Sequence, residues 1–253
     1  MEFSEQPTRL VQETSGWVIE TPHVSPESVR STIGSALVQI SGKEPEWWAS
    51  GNTVRPYRVA PTPESKVVIL ALPPAAEAMD KAIAASKLEF WRISRPSIPD
   101  LPSGNNSLAI NLMSPIVPDG PLAGSSRGAR RPDPVWFLPL CRWRASMLVG
   151  THIERTQVPP DPVRALNAKA AAFRVIMDSG EHQQVSHRST HTPGIFTGNG
   201  WTGFLFMSAP EAALAAWWPW LYAASFWGVG RGTPWGQGAF AIAPMQSQFA
   251  SAS

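Results

Sequence analysis

The stretch GVGRGTPWGQGAF, residues 228–240, holds five glycines in its first eleven positions and a single cation, Arg231. Glycine tolerates φ > 0 and admits a close backbone partner, at an entropic cost to folding. So much loose backbone beside one charge, straight after the most apolar segment of the chain, implies a partner: another part of the protein or a phosphate. The stretch lacks the Gly-Lys-Ser/Thr ending of a P-loop. Its glycines follow a predicted helix, where a dinucleotide-binding fingerprint follows a strand. A helix C-terminus followed by a nest of backbone N–H groups is still able to hold phosphate oxygens. The plain alternative is a long turn between helix and strand, and Arg231, the only cation after residue 192, shifts the balance towards function.

Working outward, Ala212–Gly230 runs nineteen residues without a charge, long enough for a membrane helix. Its Trp and Pro residues lie in the middle, where membrane helices carry Trp at the edges, and no positive flanks set an orientation. The sequence predicts a core helix over 210–229 packed on a sheet, with no membrane partner. Strands are predicted at 16–21, 66–72, 107–115, 200–208 and 239–244. Helices are predicted at 26–40, with Ser25 as cap and Val29, Ile33, Leu37 and Ile40 on one apolar face, and at 75–88. A further helix over 160–180, capped by Asp161 and ended by Gly180, carries Arg164, Lys169 and Arg174. Residues 136–150 fit a helix or a strand, 119–134 read as a loop or linker, and 181–199 as a His-rich loop. Strands and helices mingle without strict alternation, which favours α+β over a doubly wound sheet.

The chain has 253 residues and a net charge of +2 that conceals an asymmetry. Residues 1–120 carry 10 Lys/Arg against 13 Asp/Glu, whereas 121–192 carry ten against five, and four of the five histidines. A basic middle third rich in Arg suits an anionic partner through bidentate phosphate contacts. One cysteine, Cys141, excludes an intrachain disulfide framework, and the polar N-terminus is no signal peptide, so a cytoplasmic protein is expected. His182, His187 and His191 have metal-like spacing without accompanying cysteines or many carboxylates. A polar basic loop is the stronger reading there, and neither metal nor cofactor is expected.

VRSTIGSAL (29–37), RPYRVAPTPE (55–64), INLMSPIV (110–117), HRSTHTPG (187–194) and the closing GWTGFLFM…WLYAASFWGVGRGTPWGQGAFAI occur in an order that resembles the CRISPR-associated endoribonucleases of the RAMP superfamily. The family's Gly-x-Gly-Lys/Arg-x-Thr-x-x-Gly-x-Gly loop is matched by Gly228, Gly230, Arg231, Thr233, Gly236 and Gly238. Small size and Arg/Trp/Pro richness fit the divergent type IV branch. The resemblance implies two ferredoxin-like (βαββαβ) halves, 1–106 and 107–253, with the Gly-rich loop 228–238 between them and a basic helical insertion near 160–180. It implies metal-independent cleavage of the CRISPR repeat hairpin in pre-crRNA. The 2′-OH attacks the adjacent phosphate, leaving a 2′,3′-cyclic phosphate and a 5′-OH, and the protein keeps the mature crRNA as a subunit of an effector complex. The alternative is a RAMP scaffold that binds crRNA without cutting it. Carried onto this sequence, Arg30 and Arg231 are expected to stabilise the phosphate and His23 to act as base, with Tyr57 nearby. The expected RNA track comprises Arg164, Lys169 and Arg174, then Arg127, Arg130, Arg131, Arg142 and Arg144. Arg188, Gly230, Gly232 and Thr233 complete it.

Overall fold

A computed structural model describes residues 1–20, 26–45, 48, 54–58, 66–73, 75–93, 97–118, 131–155, 157–188, 195–233 and 237–245; the side chains at 20, 26–27, 54–58, 66–68, 187–188 and 195–197 lie outside that description. After a short 3-10 turn and helix α1 (Gln6–Glu13), the first half runs β1 (Ser15–Glu20), α2 (Pro26–Ser41), β2 (Val54–Arg58), β3 (Lys66–Ala71), α3 (Ala75–Ala85) and β4 (Phe90–Ile93). Its strands pair antiparallel in the order β2-β3-β1-β4. This is the βαββαβ topology of a ferredoxin-like unit.

The second half repeats the plan: β5 (Ser107–Ile116), α4 (Pro134–His152), α5 (Pro160–Ala170), β6 (Arg174–Asp178), β7 (Glu181–Arg188), β8 (Ile195–Ser208), α6 (Glu211–Trp227) and β9 (Phe240–Met245). Strand order is β6-β8-β5-β9, and β7 also pairs with β8. The fourteen-residue β8 is long enough to pair with β6 through Leu205–Ser208 and with β7 through Ile195–Thr202. The inserted helix α5 carries Arg164 and Lys169.

Side chains alternate across a strand, so each sheet has two faces to cover. In the first sheet Trp17, Ile19, Ile69 and Ala71 meet Val29, Ile33 and Leu37 of α2 and Met79 and Ile83 of α3. The intervening Val18 and Leu70 point the other way, into a larger core shared with α1, α4, β5 and α6. Both halves are therefore stitched into one apolar interior. Helix α6 sits in its middle, with Trp217, Trp220, Leu221 and Trp227 at most 3% exposed. A helix apolar all round is a buried helix, which accounts for the uncharged run. No described helix is long and apolar enough to cross a membrane.

Several local expectations are corrected. The helix predicted over 160–180 ends at Ala170, and its cap is Pro159, with Asp161 inside the first turn. Phe173 is buried and the chain continues as β6, so Arg174 lies on a strand. The segment expected as a His-rich loop contributes β7 and the start of β8. Residues 136–150 are helical. There Asp133 caps α4 by accepting a hydrogen bond from the Val135 amide (2.7 Å), with Pro134 at the first helical position. Ile40 is 48% exposed, outside the buried stripe of α2.

Candidate nucleic-acid interface around the glycine-rich loop

Helix α6 ends where Gly228 takes φ 62°, and Gly230, Gly232 and Gly238 follow at 84°, 79° and 68°. All four lie in the left-handed region, which costs other residues about 1–2 kcal/mol. A Cβ on Gly230 would fall on the carbonyl oxygen of Val117, and one on Gly238 on that of Val229. These glycines are required by close backbone approach as well as by φ.

What they approach is the end of β5. The Arg231 amide donates to the Val117 carbonyl (2.8 Å) and the Gly238 amide to Pro115 (3.0 Å). The amides of Met113 and Ser114 both donate to Ala239, whose own amide donates to the Ser114 hydroxyl. Within the loop, Val229 donates to Gly238 and Gln237 to Gly232. The amides of Val229, Arg231, Gln237 and Gly238 are thus spent on protein carbonyls. Those four amides are not free for a phosphate, and the loop's one charge is carried by the Arg231 side chain.

Arg231 is exposed, while its neighbours Gly232 and Thr233 are buried. Thr233, 3% exposed, accepts a hydrogen bond from Nη2 of Arg144 at 3.1 Å. Arg144 is itself only 5% exposed, on the face of α4 turned to the core. The two residues therefore meet inside the protein, as a strut under the loop. His152, two turns further along α4, has its pKa lowered by burial and then by the charge of Arg144. This strut was missed from the sequence. Its one signal was a pair of arginines, 142 and 144, inside an otherwise apolar helix.

The other expected residues are spread over several elements. Arg164 and Lys169 are exposed on α5, Arg164 lying 3.5 Å from Asp161. Arg174 is exposed on β6, and Arg131 pairs with Asp178 at 2.7 Å just before α4. Arg142 is half-buried, which lowers its pKa, yet a guanidinium stays charged at any working pH. In the first half Arg30, on α2, donates to the Trp48 carbonyl (2.7 Å) and stacks on the Trp48 ring with its carbon 4.8 Å from the centroid. Burial lowers its pKa, with the charge of Glu44 acting the other way. The backbone of Tyr57 lies on β2 and that of Arg188 on β7, opposite Val68 and Ile195. His23, Arg127 and Arg130 lie outside the described residues.

His182, on β7, packs edge-on against Trp201 at 4.6 Å. Among the described residues no three His, Cys, Asp or Glu side chains converge as metal ligands would. A cavity of about 550 Å³ is lined by Met1, Ser4, Glu5, Thr8, Arg9, Gln12 and Glu154, none of them from the glycine-rich loop or the basic elements.

No protein-family model matches the chain, and no curated protein resembles it in sequence. Solved structures match it over most of its length. Thermus thermophilus Cas6 superposes with TM-score 0.62 at 15% identity, over 91% of this chain and 98% of that one. A Cas6 product complex gives 0.59 at 15% identity, over 92% and 100%. A partial Cas6-RT-Cas1–Cas2 complex gives 0.62 at 10% identity, over 92% of this chain and 46% of the longer one. At these identities the likeness is one of architecture: the chain has the tandem ferredoxin-like fold of the Cas6 proteins.

Proposed function

We propose that the protein is an endoribonuclease that binds the CRISPR repeat hairpin, cuts pre-crRNA without a metal, and keeps the mature crRNA as part of an effector complex. One observation carries the reading. The glycine-rich loop is bolted by its backbone to the end of β5 and underpinned by Arg144 and Thr233, with Arg231 held outward from it. That gives an exposed, permanently charged arginine on a rigidly held loop, on a fold shared with Cas6 structures.

The chemistry asked of such a site is in-line attack of a 2′-OH on the next phosphate. It needs alignment, a base, charge stabilisation on the phosphorane and protonation of the leaving 5′-oxygen. Arg231 and Arg30 supply charge but cannot accept a proton. His23 is the proposed base, and Tyr57 a further catalytic candidate. Arg131, Arg142, Arg164, Lys169, Arg174 and Arg188 track the phosphates, with Arg127 and Arg130 extending that track. We take 1–106 and 107–253 as the two units that hold the hairpin between them.

Incubation with the cognate repeat RNA in excess EDTA tests this directly. The expected products carry a 5′-OH and a 2′,3′-cyclic phosphate. Intact RNA beside an active control enzyme, or cleavage that returns only with added metal, refutes it. Arg231→Ala is expected to slow cleavage by roughly 10²-fold or more while binding stays within a few-fold, as for loss of a transition-state donor. A second reading, a crRNA-binding scaffold that does not cut, is favoured by the engagement of Arg30 with Trp48. Under it, Arg231→Ala weakens binding and no product forms with either protein.

A further inference from the structure

The helices α4 and α6 cover one face of the second sheet; among the described residues no helix covers the other. On β8, Leu205 and Met207 are fully buried, while between and before them Phe206 is half-exposed and Phe204 is 47% exposed. Register fixes what stands beside these rings. Phe204 lies opposite Asn111, which is opposite Ala241; Phe206 lies opposite Ala109 on one side and Met177 on the other, and Ala109 is opposite Ala243. Met177 is 55% exposed, and Ala241 and Ala243 are exposed. One rung further, Arg174 pairs with Ser208 and so stands on the same face. Two rings about 7 Å apart along a strand therefore rise beside small side chains, on a flat surface with a cation at its rim.

The rungs from Ser208 to Phe204 carry Arg174 and no carboxylate, because Asp178, opposite the buried Leu205, points to the covered face and is ion-paired with Arg131. A flat aromatic surface rimmed by a cation is what unpaired nucleotides need: π-faces for the bases and positive charge for the phosphates. A double helix hides its base faces, so this surface offers a stem only its rim. We propose that the open face of the second sheet binds single-stranded RNA flanking the hairpin, with Phe204 and Phe206 as stacking positions, Arg174 on a phosphate and Asn111 within reach of a base edge. The proposal rests on the RNA-binding reading above and adds a second, single-strand site to it.

The test uses the full-length protein and two fluorescein-labelled stem-loop RNAs, one blunt and one with a ten-uridine unpaired extension, read by anisotropy. The wild type is expected to bind the extended RNA at least tenfold more tightly. Phe204→Ala should lose roughly 5- to 100-fold on the extended RNA, the range for one stacked base, and nothing on the blunt one; Phe204→Tyr should retain the difference. A folded Phe204→Ala that binds the extended RNA like the wild type overturns the proposal. So does a wild type that gains nothing from the extension, although the hairpin reading then stands. Binding of neither RNA overturns both. A wild-type dimer that Phe204→Ala turns into monomers, with RNA affinity unchanged, assigns the face to a second copy and overturns it too. Should Phe204→Ala fail to fold, photocrosslinking of wild type to an extension containing 5-iodouridine decides. Adducts on Phe204 or Phe206 support the site, and adducts confined elsewhere overturn it.

Discussion

Gly230 and Gly42 make a matched pair for testing how the glycine-rich loop is held. Both take a left-handed backbone, at φ 84° and 77°. Around the missing Cβ of Gly42 nothing lies within 4 Å, whereas that of Gly230 falls on the Val117 carbonyl oxygen, with the carbonyl carbon at 3.1 Å. Replacement by Ala costs each site about 1–2 kcal/mol in backbone strain, offset by about 0.4–1 kcal/mol from a stiffer unfolded chain. Gly42→Ala should therefore lose no more than roughly 1.5 kcal/mol. Gly230→Ala adds an overpacking cost of about 1–3 kcal/mol. Val117 cannot back away without breaking its bond to the Arg231 amide. Urea unfolding measures both, with unchanged m-values showing that stability alone has moved. The same variants should separate in the EDTA cleavage assay. A displacement of about 1 Å next to Arg231 is enough for a loss near 10²-fold, while Gly42→Ala should cleave normally. Equal stability losses in the two variants, or a Gly230→Ala protein as stable and active as wild type, would show that the loop is not seated on Val117.

Other expectations follow from single contacts. Thr14 is buried at the end of α1, accepts from Nε1 of Trp227 (2.9 Å) and donates to the Leu10 carbonyl (2.7 Å). Thr14→Val strands the indole N–H and should cost about 1–3 kcal/mol, with Thr14→Ser close to wild type by calorimetry. His152 binds its proton less tightly folded than unfolded, because of burial and then Arg144. The unfolded state therefore takes up more protons, and stability falls as pH drops through the ordinary histidine range near 6.5. His152→Gln should flatten that loss between about pH 6.5 and 5, and an unchanged slope in denaturation midpoints contradicts it. Arg164→Ala and Lys169→Ala should each lower the slope of log affinity against log salt by about 1. Arg144→Met should reduce stability, because it leaves the buried Thr233 hydroxyl without its donor, and a denaturation midpoint equal to wild type contradicts the strut.

The sequence spoke most clearly where pattern and burial agree. The stripe Val29, Ile33 and Leu37 is buried as its spacing requires, and the uncharged run before the loop is the central core helix. Boundaries after α5 failed because Ala170, Ala171 and Ala172 carry the helix-forming composition past the helix end, while pairing with β8 pulled Arg174–Asp178 into a sheet. Local propensity loses to a tertiary partner of that kind. Strands β2 and β4 escaped notice because each is short, and Pro56 interrupts the first. Trp17, Trp48, Trp217 and Trp227 are fully buried. At the site, motif order pointed to the loop and to Arg231. No sequence pattern could tell that Arg144 reaches Thr233 across 89 residues, because that contact exists only once α4 lies under the loop.

The two arginines of this region divide one task. After residue 192 the chain carries only Glu211 and Arg231 as charges. The backbone at Arg231 is set by the left-handed glycines around it and by the amides of Arg231 and Gly238, which donate to the Val117 and Pro115 carbonyls. Backbone alone leaves Thr233 to be fixed on the inner side, and Arg144 does that from the core at a real desolvation cost, since a buried cation forfeits several kcal/mol of hydration. A neutral donor would hold Thr233 more cheaply. The retained charge acts further as field: it raises the positive potential behind the loop and disfavours protonation of His152. Buried positive charge beneath an exposed arginine favours a phosphate in front of it more than a neutral strut would. Arg144→Gln should accordingly keep the loop seated, through a hydrogen bond to Thr233, and still weaken RNA binding. An Arg144→Gln protein with wild-type affinity at low salt would reduce Arg144 to a strut alone.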